Sequence, residues 1–394
     1  MAGREQGGPG AGGPPHVLVT HPGAELYGSD RMVLESVEGL LEDGFRVTVA
    51  LAGSGPLTAL LSAAGAECRT VATPVLRKSA TTPRGLLALA ASALRSAPAA
   101  WRVLGELRPD AVYVSTLTTP LWLLLARAAR VPAVCHVHEA ESSPSRPVRL
   151  LLAAPLLLAD RVLTNSRYAL DVLLGSLPAL RSRSRVVLNG VRGPAAVPAP
   201  RPRSSSGPLR LLYVGRLSER KGVFVALEAL RELAGRGEDV VLSLVGDVFS
   251  EHASVAEELE ARLGEPVLAG RVQRCGFSSG VWDHLAAADV VLVPSLLPEP
   301  FGNTAVEGVL AARPVVASAV GGLPEAVAGT RSARLVAPGD PAALAEAVLD
   351  VSRHLDALSL AAQHDAADAA RRFSPRRYRQ DVAGAVREMV GGDR

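Results

Sequence analysis

Short apolar runs alternate with amphipathic segments along most of the chain. The runs are rich in Val, Leu and Ala, as in HVLVTH, RVTVALA, DAVYVST and PAVCHVH, whereas the segments between them repeat apolar residues every three or four positions. This alternation predicts buried parallel strands connected by helices. The expected fold class is therefore α/β.

A single interruption divides the alternation into two series. Residues 193–208 are rich in Pro, Ser and Gly without periodicity, as expected for a linker. We expect one Rossmann-like lobe at residues 16–192 and another at residues 209–370, with a cleft between them. Residues 1–15 are predicted to form a disordered tail, and residues 371–394 a helix that returns to the first lobe.

Composition and charge argue against several classes of function. The chain has 394 residues, of which 48% are hydrophobic, so it can bury two cores. Its net charge is only +3 and its basic clusters lack interleaved aromatic residues, which argues against nucleic-acid binding. The N-terminal residues have neither a basic start nor an apolar core, and the three cysteines lack metal or disulfide spacing. A reduced, cytoplasmic protein is the expectation.

Lysine and asparagine are rare in this chain. Among the 42 Lys and Arg residues only two are lysines, Lys78 and Lys221, and the asparagines are Asn165, Asn189 and Asn303. All three asparagines follow predicted strands. In a chain biased against both residue types, such positions favour a functional role, although Lys78 has no evident one.

The segment after the predicted strand DVVLVPS holds two glutamates, Glu299 in the loop and Glu307 in the helix that follows, with seven residues between them. The segment TAVEGVLAAR has helical periodicity, so the loop lies at the carboxyl edge of a sheet. Asn303 or Thr304 can cap that helix, whose N-terminal N–H groups suit an anion. Thr304 and Glu307 also fit a capping box, which would make Glu307 purely structural. Prolines on both sides of Glu299 stiffen its backbone.

Two cations lie near another predicted helix start. Arg216 ends the run LRLLYVGR, and Lys221 precedes a helix expected to start near Gly222. Two cations beside a helix N-terminus suit a diphosphate, which carries about two negative charges. Taken alone, the segment also fits ordinary surface charges.

Other predicted strand ends carry further candidates. In PAVCHVH the two histidines alternate, so His136 and His138 face the same side of the sheet. His138 is nearer the strand end and can donate to a sugar hydroxyl or phosphate, whereas His136 fits a buried core histidine. Glycines and one glutamate also follow predicted strands, where they equally suit plain turns: Gly23, Gly28, Gly321, Gly322 and Glu325.

Several segments in order, GSDRMVLESVEGLLEDGFRV, HVHE, VLTNS, VVLNGV, YVGRLSERKG, EPFGNTAVEG and VVASAVGGLPE, together resemble the retaining GT-B glycosyltransferases of family GT4. The match begins at residue 16 and covers nearly all of the chain that follows. The resemblance implies two Rossmann-like domains and transfer of a sugar from a nucleotide-sugar donor to an acceptor hydroxyl with retention. It further implies a role in polysaccharide, glycolipid or cell-envelope glycan synthesis.

The resemblance also assigns roles to individual residues. Glu299 would contact the donor sugar, Glu307 the ribose, and His138 would lie beside the donor sugar, so His138 and Glu299 are the catalytic candidates. Arg216 and Lys221 would bind the diphosphate. The remaining donor-binding candidates are Gly28, Phe301, Gly302, Asn303 and Thr304. Gly28 matches the second glycine of a family Gly-Gly loop, whereas Tyr27 replaces the first.

No cofactor or metal is expected, because the sequence shows no D-x-D motif, Walker A motif or H-E-x-x-H motif. The expected partners are a nucleotide sugar and an acceptor glycan, glycolipid or small molecule. The basic, Leu-rich stretches Thr81–Arg108 and Arg146–Arg161 also fit peripheral contact with the inner face of the cell membrane, although ordinary core-facing helices explain them too.

Two other functions stay open at this point. A sugar-nucleotide 2-epimerase also uses two Rossmann-like lobes, and product analysis with donor alone would separate it. A non-catalytic nucleotide-sugar-binding subunit would bind donor without turnover, although Glu299, Lys221 and His138 argue against that function. A pyridoxal-phosphate-dependent phosphorylase would need a buried lysine, which a chain with two lysines supports poorly.

Overall fold

Two parallel sheets organise the chain, as the α/β pattern predicts. Within the described residues the first sheet has seven strands in the order 3-2-1-4-5-6-7, and the second has six in the order 10-9-8-11-12-13. Every strand pairing is parallel. The structure is a computed structural model that describes residues 13–26, 28–76, 82–140, 146–200, 207–248, 253–278 and 280–391.

The first lobe alternates strands with helices. Its strands are β1 (His16–His21), β2 (Arg46–Leu51), β3 (Glu67–Thr70), β4 (Ala111–Val114), β5 (Ala133–Val137), β6 (Arg161–Thr164) and β7 (Ser184–Val186). Its helices are α1 (Gly28–Glu42), α2 (Pro56–Ala63), α3 (Pro83–Leu107), α4 (Pro120–Ala129), α5 (Arg146–Ala153) and α6 (Arg167–Ser176), with 3₁₀ turns at Ala154–Leu158 and Pro178–Arg183.

The second lobe repeats the arrangement and ends in three helices. Its strands are β8 (Leu209–Val214), β9 (Val240–Val245), β10 (Val272–Gly276), β11 (Val290–Val293), β12 (Val315–Ser318) and β13 (Ala333–Val336). Its helices are α7 (Val223–Gly235), α8 (Ala253–Leu263), α9 (Trp282–Ala287), α10 (Asn303–Leu310), α11 (Leu323–Ala326), α12 (Pro341–Arg353), α13 (Leu355–Arg372) and α14 (Pro375–Val390), with 3₁₀ turns at Glu219–Lys221 and Pro266–Leu268.

Both faces of the first sheet are covered, which explains its continuous apolar strands. Val17 and Val19 point to one face, where α1, α2 and α14 pack. Leu18 points to the other face, where α3, α4 and α6 pack. Among the described residues, no helix combines the length and apolar character needed to cross a bilayer.

Helix α14 belongs to the C-terminal part of the chain but packs on α1 of the first lobe. The Tyr378 hydroxyl lies 2.7 Å from the Ser36 Oγ, and the Arg379 Nε donates to Glu35 at 2.7 Å. Gly39 lets the helices approach, because a Cβ there would lie 2.7 Å from the Arg379 Cα. The last helix therefore ties the two lobes together.

We expect Gly39→Ala to destabilise the protein by about 1–3 kcal/mol, because the added methyl meets backbone that has to move. Gly105→Ala is the matched control, since Gly105 also lies in a helix, α3, and a Cβ there meets nothing within 4 Å. That control should be neutral or stabilising by about 1 kcal/mol, because alanine is the better helix former. Urea unfolding of both variants measures the difference, and equal stability would contradict the close α1–α14 packing.

Candidate active site

The predicted site residues of the second lobe lie where the strand order of its sheet reverses. Strands β8 and β11 are neighbours, and the sheet extends from β8 through β9 and β10 but from β11 through β12 and β13. Connections that leave neighbouring strands in opposite directions open a crevice at the carboxyl ends of those strands. Arg216 follows β8, and Glu299 lies between β11 and α10, so both lie at this crevice.

Glu299 is a buried carboxylate held by a lysine. Its side chain is 8% exposed, Lys221 Nζ lies 2.7 Å from its Oε2, and the Ser295 hydroxyl donates to its Oε1. Burial alone would raise the pKa of Glu299, but the charge and hydrogen bond of Lys221, helped by the Ser295 hydroxyl, lower it. The carboxylate is therefore charged at neutral pH.

Close backbone packing fixes the loop around Glu299. Gly321 has φ +63°, and a Cβ there would lie 2.5 Å from the Glu299 backbone N and O. The Gly322 N–H donates to the Glu299 carbonyl at 2.7 Å, and the Arg220 Nη2 donates to the Pro298 carbonyl at 3.0 Å. The two glycines of this turn thus have a specific role, since a side chain at Gly321 would displace the Glu299 backbone.

Lys221 reaches Glu299 because its own turn packs on the same loop. It ends the 3₁₀ turn that precedes α7, and the next residue, Gly222, has φ +75°. A Cβ at Gly222 would lie 1.8 Å from the Pro294 carbonyl oxygen. Only glycine fits this contact, which brings the start of α7 against the loop after β11. The helix start expected near Gly222 is confirmed at Val223.

Helix α10 begins without a side-chain cap. Its N-cap is Gly302 with φ +106°, and neither Asn303 nor Thr304 caps it. The expected cap and the expected capping box are therefore wrong, because Thr304 is already the second helical residue and Glu307 the fifth. An uncapped helix N-terminus has backbone N–H groups and a positive dipole end directed at the loop, which suits an anion.

Glu307 lies one turn into α10 and is partly buried. Burial raises the pKa of Glu307 to about 7, although the positive charges of Arg31 and Lys221 oppose the shift. Because Arg31 belongs to α1, Glu307 faces the first lobe as well as its own.

The first lobe approaches the same loop at Asn303. A Cβ at Gly28, the first residue of α1, would lie 3.5 Å from the Asn303 Nδ2. The Asn189 Nδ2 donates to the Asn303 Oδ1 at 3.0 Å. Two of the rare asparagines and the predicted glycine therefore meet across the cleft. Tyr27, which replaces the other family glycine, lies outside the described residues.

His138 follows β5 in the first lobe, and its ring centroid is 4.2 Å from that of His136. Burial and the nearby His21 lower the pKa of His138 to about 3, so the ring is neutral. Within the described part of the chain its Nε2 has no hydrogen-bond partner. His136 is fully buried with its Nδ1 2.7 Å from the Tyr113 hydroxyl, as expected for a core residue.

Phe301 and Arg216, two predicted donor-binding residues, lie in different environments. Phe301 is 2% exposed and makes an edge contact with Phe373, with ring centroids 5.5 Å apart. Its side chain is therefore part of the core, and the expected donor contact of Phe301 stays a prediction. Arg216 is exposed, and its backbone carbonyl accepts a hydrogen bond from the Tyr213 hydroxyl at 2.8 Å. The guanidinium group thus extends from an anchored backbone.

A polar bridge that the sequence did not predict joins the lobes at this loop. Ser166 accepts from the Ala169 N–H at 2.9 Å, which caps α6, and its hydroxyl donates to the Pro300 carbonyl. The Glu325 carboxylate accepts from the Arg167 N–H at 2.7 Å. Glu325, which the sequence also allowed as part of a plain turn, therefore contacts the start of a helix in the other lobe.

A buried histidine cluster in the first lobe also escaped the sequence patterns. His21 Nδ1 lies 2.6 Å from the Ser115 Oγ, and its Nε2 lies 2.7 Å from the Asp30 Oδ1. His21 ends β1 and Ser115 follows β4, the two strands at which the first sheet changes direction. The strand-end position of His21 is the one signal that could have indicated it.

Two family models match the two lobes in turn. Residues 27–192 match the model described as Glycosyltransferase Family 4, and residues 208–354 match the model described as Glycosyl transferases group 1. Together these two ranges cover most of the chain.

Individual proteins are similar to about three fifths of this chain. Glycogen synthase from Mycobacterium tuberculosis is 31% identical over 263 residues, which are 62% of this chain and 60% of that protein. The 2-deoxystreptamine N-acetyl-D-glucosaminyltransferase from Streptomyces fradiae is 30% identical over 278 residues, 63% of this chain and 64% of that protein. The chain thus matches about three fifths of the length of these relatives.

The fold also resembles that of solved structures. HepE from Anabaena, crystallised with UDP and glucose, superposes with a TM-score of 0.76 over 93% of this chain and 98% of that one, at 22% identity. Identity at this level shows a shared fold. Each lobe matches a glycosyltransferase family model, and the two lobes form a fold of two Rossmann-like sheets. The chain therefore belongs to the GT4 family of GT-B glycosyltransferases.

Proposed function

We propose that this chain transfers a sugar from a nucleotide-sugar donor to an acceptor hydroxyl, with retention of the anomeric configuration. The observation that carries the proposal is the Lys221–Glu299 pair at the crevice between β8 and β11, beside the uncapped N-terminus of α10. A carboxylate suited to sugar hydroxyls and a cation suited to a diphosphate thus occur in one site. The HepE complex with UDP and glucose supports a donor of this class.

In this proposal, different residues of the site bind different parts of the donor. Arg216 and Lys221 supply positive charge for the diphosphate, and the start of α10 adds backbone N–H groups. Lys221 then exchanges its ion pair with Glu299 for one with the phosphate, and Glu299 becomes available to accept from the sugar hydroxyls. In its charged form Glu307 accepts from the ribose hydroxyls. The neutral His138 ring can donate one hydrogen bond to the sugar.

The transfer step follows from these positions. The bond between the anomeric carbon and the diphosphate oxygen breaks, and the leaving diphosphate keeps the electron pair. Positive charge develops on the sugar as that bond lengthens, and the Glu299 carboxylate stabilises it. The acceptor hydroxyl bonds to the anomeric carbon on the same face and gives its proton to the departing phosphate oxygen. Cations already in place stabilise the diphosphate, so the proposed step needs no metal ion.

We propose that the acceptor is a polysaccharide, glycolipid or cell-envelope glycan. A relative named glycogen synthase supports the polysaccharide among these. The start of α1 in the first lobe lies near Asn303 of the second lobe, and the acceptor would bind on the first lobe near that contact.

A thermal-shift screen of UDP-, GDP- and ADP-sugars tests the proposal first, because a donor at a hundredfold above its dissociation constant stabilises the protein by about 2.7 kcal/mol. The stabilising donor is then incubated with candidate acceptors in EDTA, and NMR of the product reports the anomeric configuration. Transfer with retention is expected. An epimerised donor without acceptor, an inverted product, or binding without turnover on any glycan acceptor would each contradict the proposal.

Lys221→Ala and Arg216→Ala should each weaken donor binding by about 10- to 150-fold, because lost charge-assisted hydrogen bonds cost about 1.5–3 kcal/mol. Lys221→Ala should also move the acid limb of the pH–rate profile to higher pH. Burial then raises the pKa of Glu299 without the opposing lysine, so the carboxylate becomes charged only at higher pH. Arg216→Ala should leave that limb in place.

Arg236→Ala is the control for this pair, since it removes a cation from the far end of α7. Calorimetric titration of the donor and rates across the pH range measure both effects. An unchanged donor affinity in both Lys221→Ala and Arg216→Ala would remove these cations from the site.

Glu307→Gln should weaken donor binding without lowering the stability of the protein. The folded-state pKa of about 7 exceeds the ordinary 4.5, so the folded protein holds this proton more tightly and loses stability as pH rises from 4.5 to about 7. The variant should therefore melt higher than the wild type near pH 8 and equally near pH 4, while binding donor more weakly. Glu257→Gln, an exposed change on α8, should do neither. Matching melting curves at all pH values, or undiminished donor affinity, would contradict this account of Glu307.

A further inference from the structure

We propose that the outer helix layer of the first lobe docks on an anionic lipid surface. The layer consists of α3, α4, α5 and the 3₁₀ turn Ala154–Leu158, which pack on one another and cover one face of the first sheet. Of the fourteen large hydrophobic side chains that are exposed among the described residues, eight belong to this layer. Such concentration on one side of a protein marks an interaction surface.

Helix α3 carries the longest part of this surface. Leu87, Leu94 and Trp101 are 71%, 76% and 48% exposed and follow one another at seven-residue intervals. Seven residues are nearly two helical turns, so the three side chains form one stripe about 21 Å long. The buried residues Ala100 and Leu104 hold the helix on the lobe. The stripe therefore faces away from the core and is accessible to a large flat partner.

The neighbouring helices extend the apolar area beyond a single stripe. Leu124 on α4 is 53% exposed, and Leu150 and Leu151 on α5 are 46% and 49% exposed. Because α4 packs on α3, and the 3₁₀ turn packs on both α4 and α5, these side chains lie in the same outer layer. A broad layer suits a planar surface better than it suits a single peptide.

Charge identifies the kind of partner. Arg95 and Arg102 are exposed, seven residues apart, and adjoin the stripe, whereas Glu106 is the single acid in α3. Residues 82–185 contain thirteen arginines and six acids, although the whole chain has a net charge of only +3. Leucine and tryptophan on one face with arginine beside them are typical of helices that lie in a membrane interface. Anionic headgroups complement such a face.

A second copy of the chain is a poorer occupant. A two-fold dimer would place the same patch on both subunits and bring the arginine rows towards each other. Among the described residues no helix can cross a bilayer, so the contact would be peripheral. The proposal does not depend on the glycosyl transfer, because docking can be measured without donor or acceptor.

Vesicle flotation of the full chain tests the docking. The protein should float with phosphatidylcholine vesicles that contain about 30 mol % phosphatidylglycerol, stay unbound with pure phosphatidylcholine, and be released by about 0.5 M NaCl. No flotation with the anionic vesicles would overturn the proposal. Equal flotation with neutral vesicles would overturn the role of charge.

Paired variants test which face docks. The triple change Leu87→Ser, Leu94→Ser, Trp101→Ser and the double change Arg95→Glu, Arg102→Glu should each weaken vesicle binding at least about tenfold. Matched controls on other exposed helix faces, Leu60→Ser with Leu360→Ser and Arg371→Glu, should bind as the wild type does. If the α3 variants bind as tightly as the controls, the docking face is elsewhere. If they instead abolish a dimer seen by ultracentrifugation, the face is a subunit interface.

Trp101 gives a second readout that does not depend on weakened binding. Trp101 is 48% exposed, whereas Trp122 is only 1% exposed in the core. Anionic vesicles should therefore shift the tryptophan emission of the wild type to the blue, and Trp101→Phe should lose most of that shift while it still floats. Vesicle binding with an unshifted Trp101 would overturn the assignment of this face.

Discussion

The buried negative charge of Glu299 is the constraint on which the rest of the site depends. A carboxylate taken out of water costs several kcal/mol unless a partner compensates it. Lys221 supplies that partner at 2.7 Å, and it can do so only because Gly222 lets the start of α7 touch the loop after β11. Gly321 permits an equally close contact with the Glu299 backbone from the other side. Two strand ends and two glycine turns thus converge on one ion pair.

The same ion pair gives the proposed function its first step. In that proposal, Lys221 compensates Glu299 until a diphosphate offers the lysine a second anion, and the carboxylate then accepts hydrogen bonds from the sugar. Contacts with the first lobe also fix the loop around Glu299. The Ser166 hydroxyl donates a hydrogen bond to the Pro300 carbonyl, and the Glu325 carboxylate accepts one from the Arg167 N–H. Helix α14 on α1 adds a second link between the lobes.

Sequence patterns predicted the features of the fold that neighbouring residues determine, and they missed contacts between residues far apart in the chain. Periodicity predicted the two parallel sheets, because apolar alternation is local, and the prolines around Glu299 marked a stiff loop. The capping box failed because Gly302, with its positive φ, is the N-cap of α10, so the helix begins two residues earlier than it would with Thr304 as the cap. The contact of Glu325 with the other lobe spans 158 positions, and no local pattern encodes such a pairing.

The most direct test of the account is the structure of the chain with the donor that stabilises it. The diphosphate should lie within about 3 Å of Lys221 Nζ and of the first N–H groups of α10. The Glu299 carboxylate should have lost its contact with Lys221 and should face the sugar. A diphosphate bound elsewhere, or bound here with the Lys221–Glu299 pair intact and the sugar turned away from Glu299, would contradict the account.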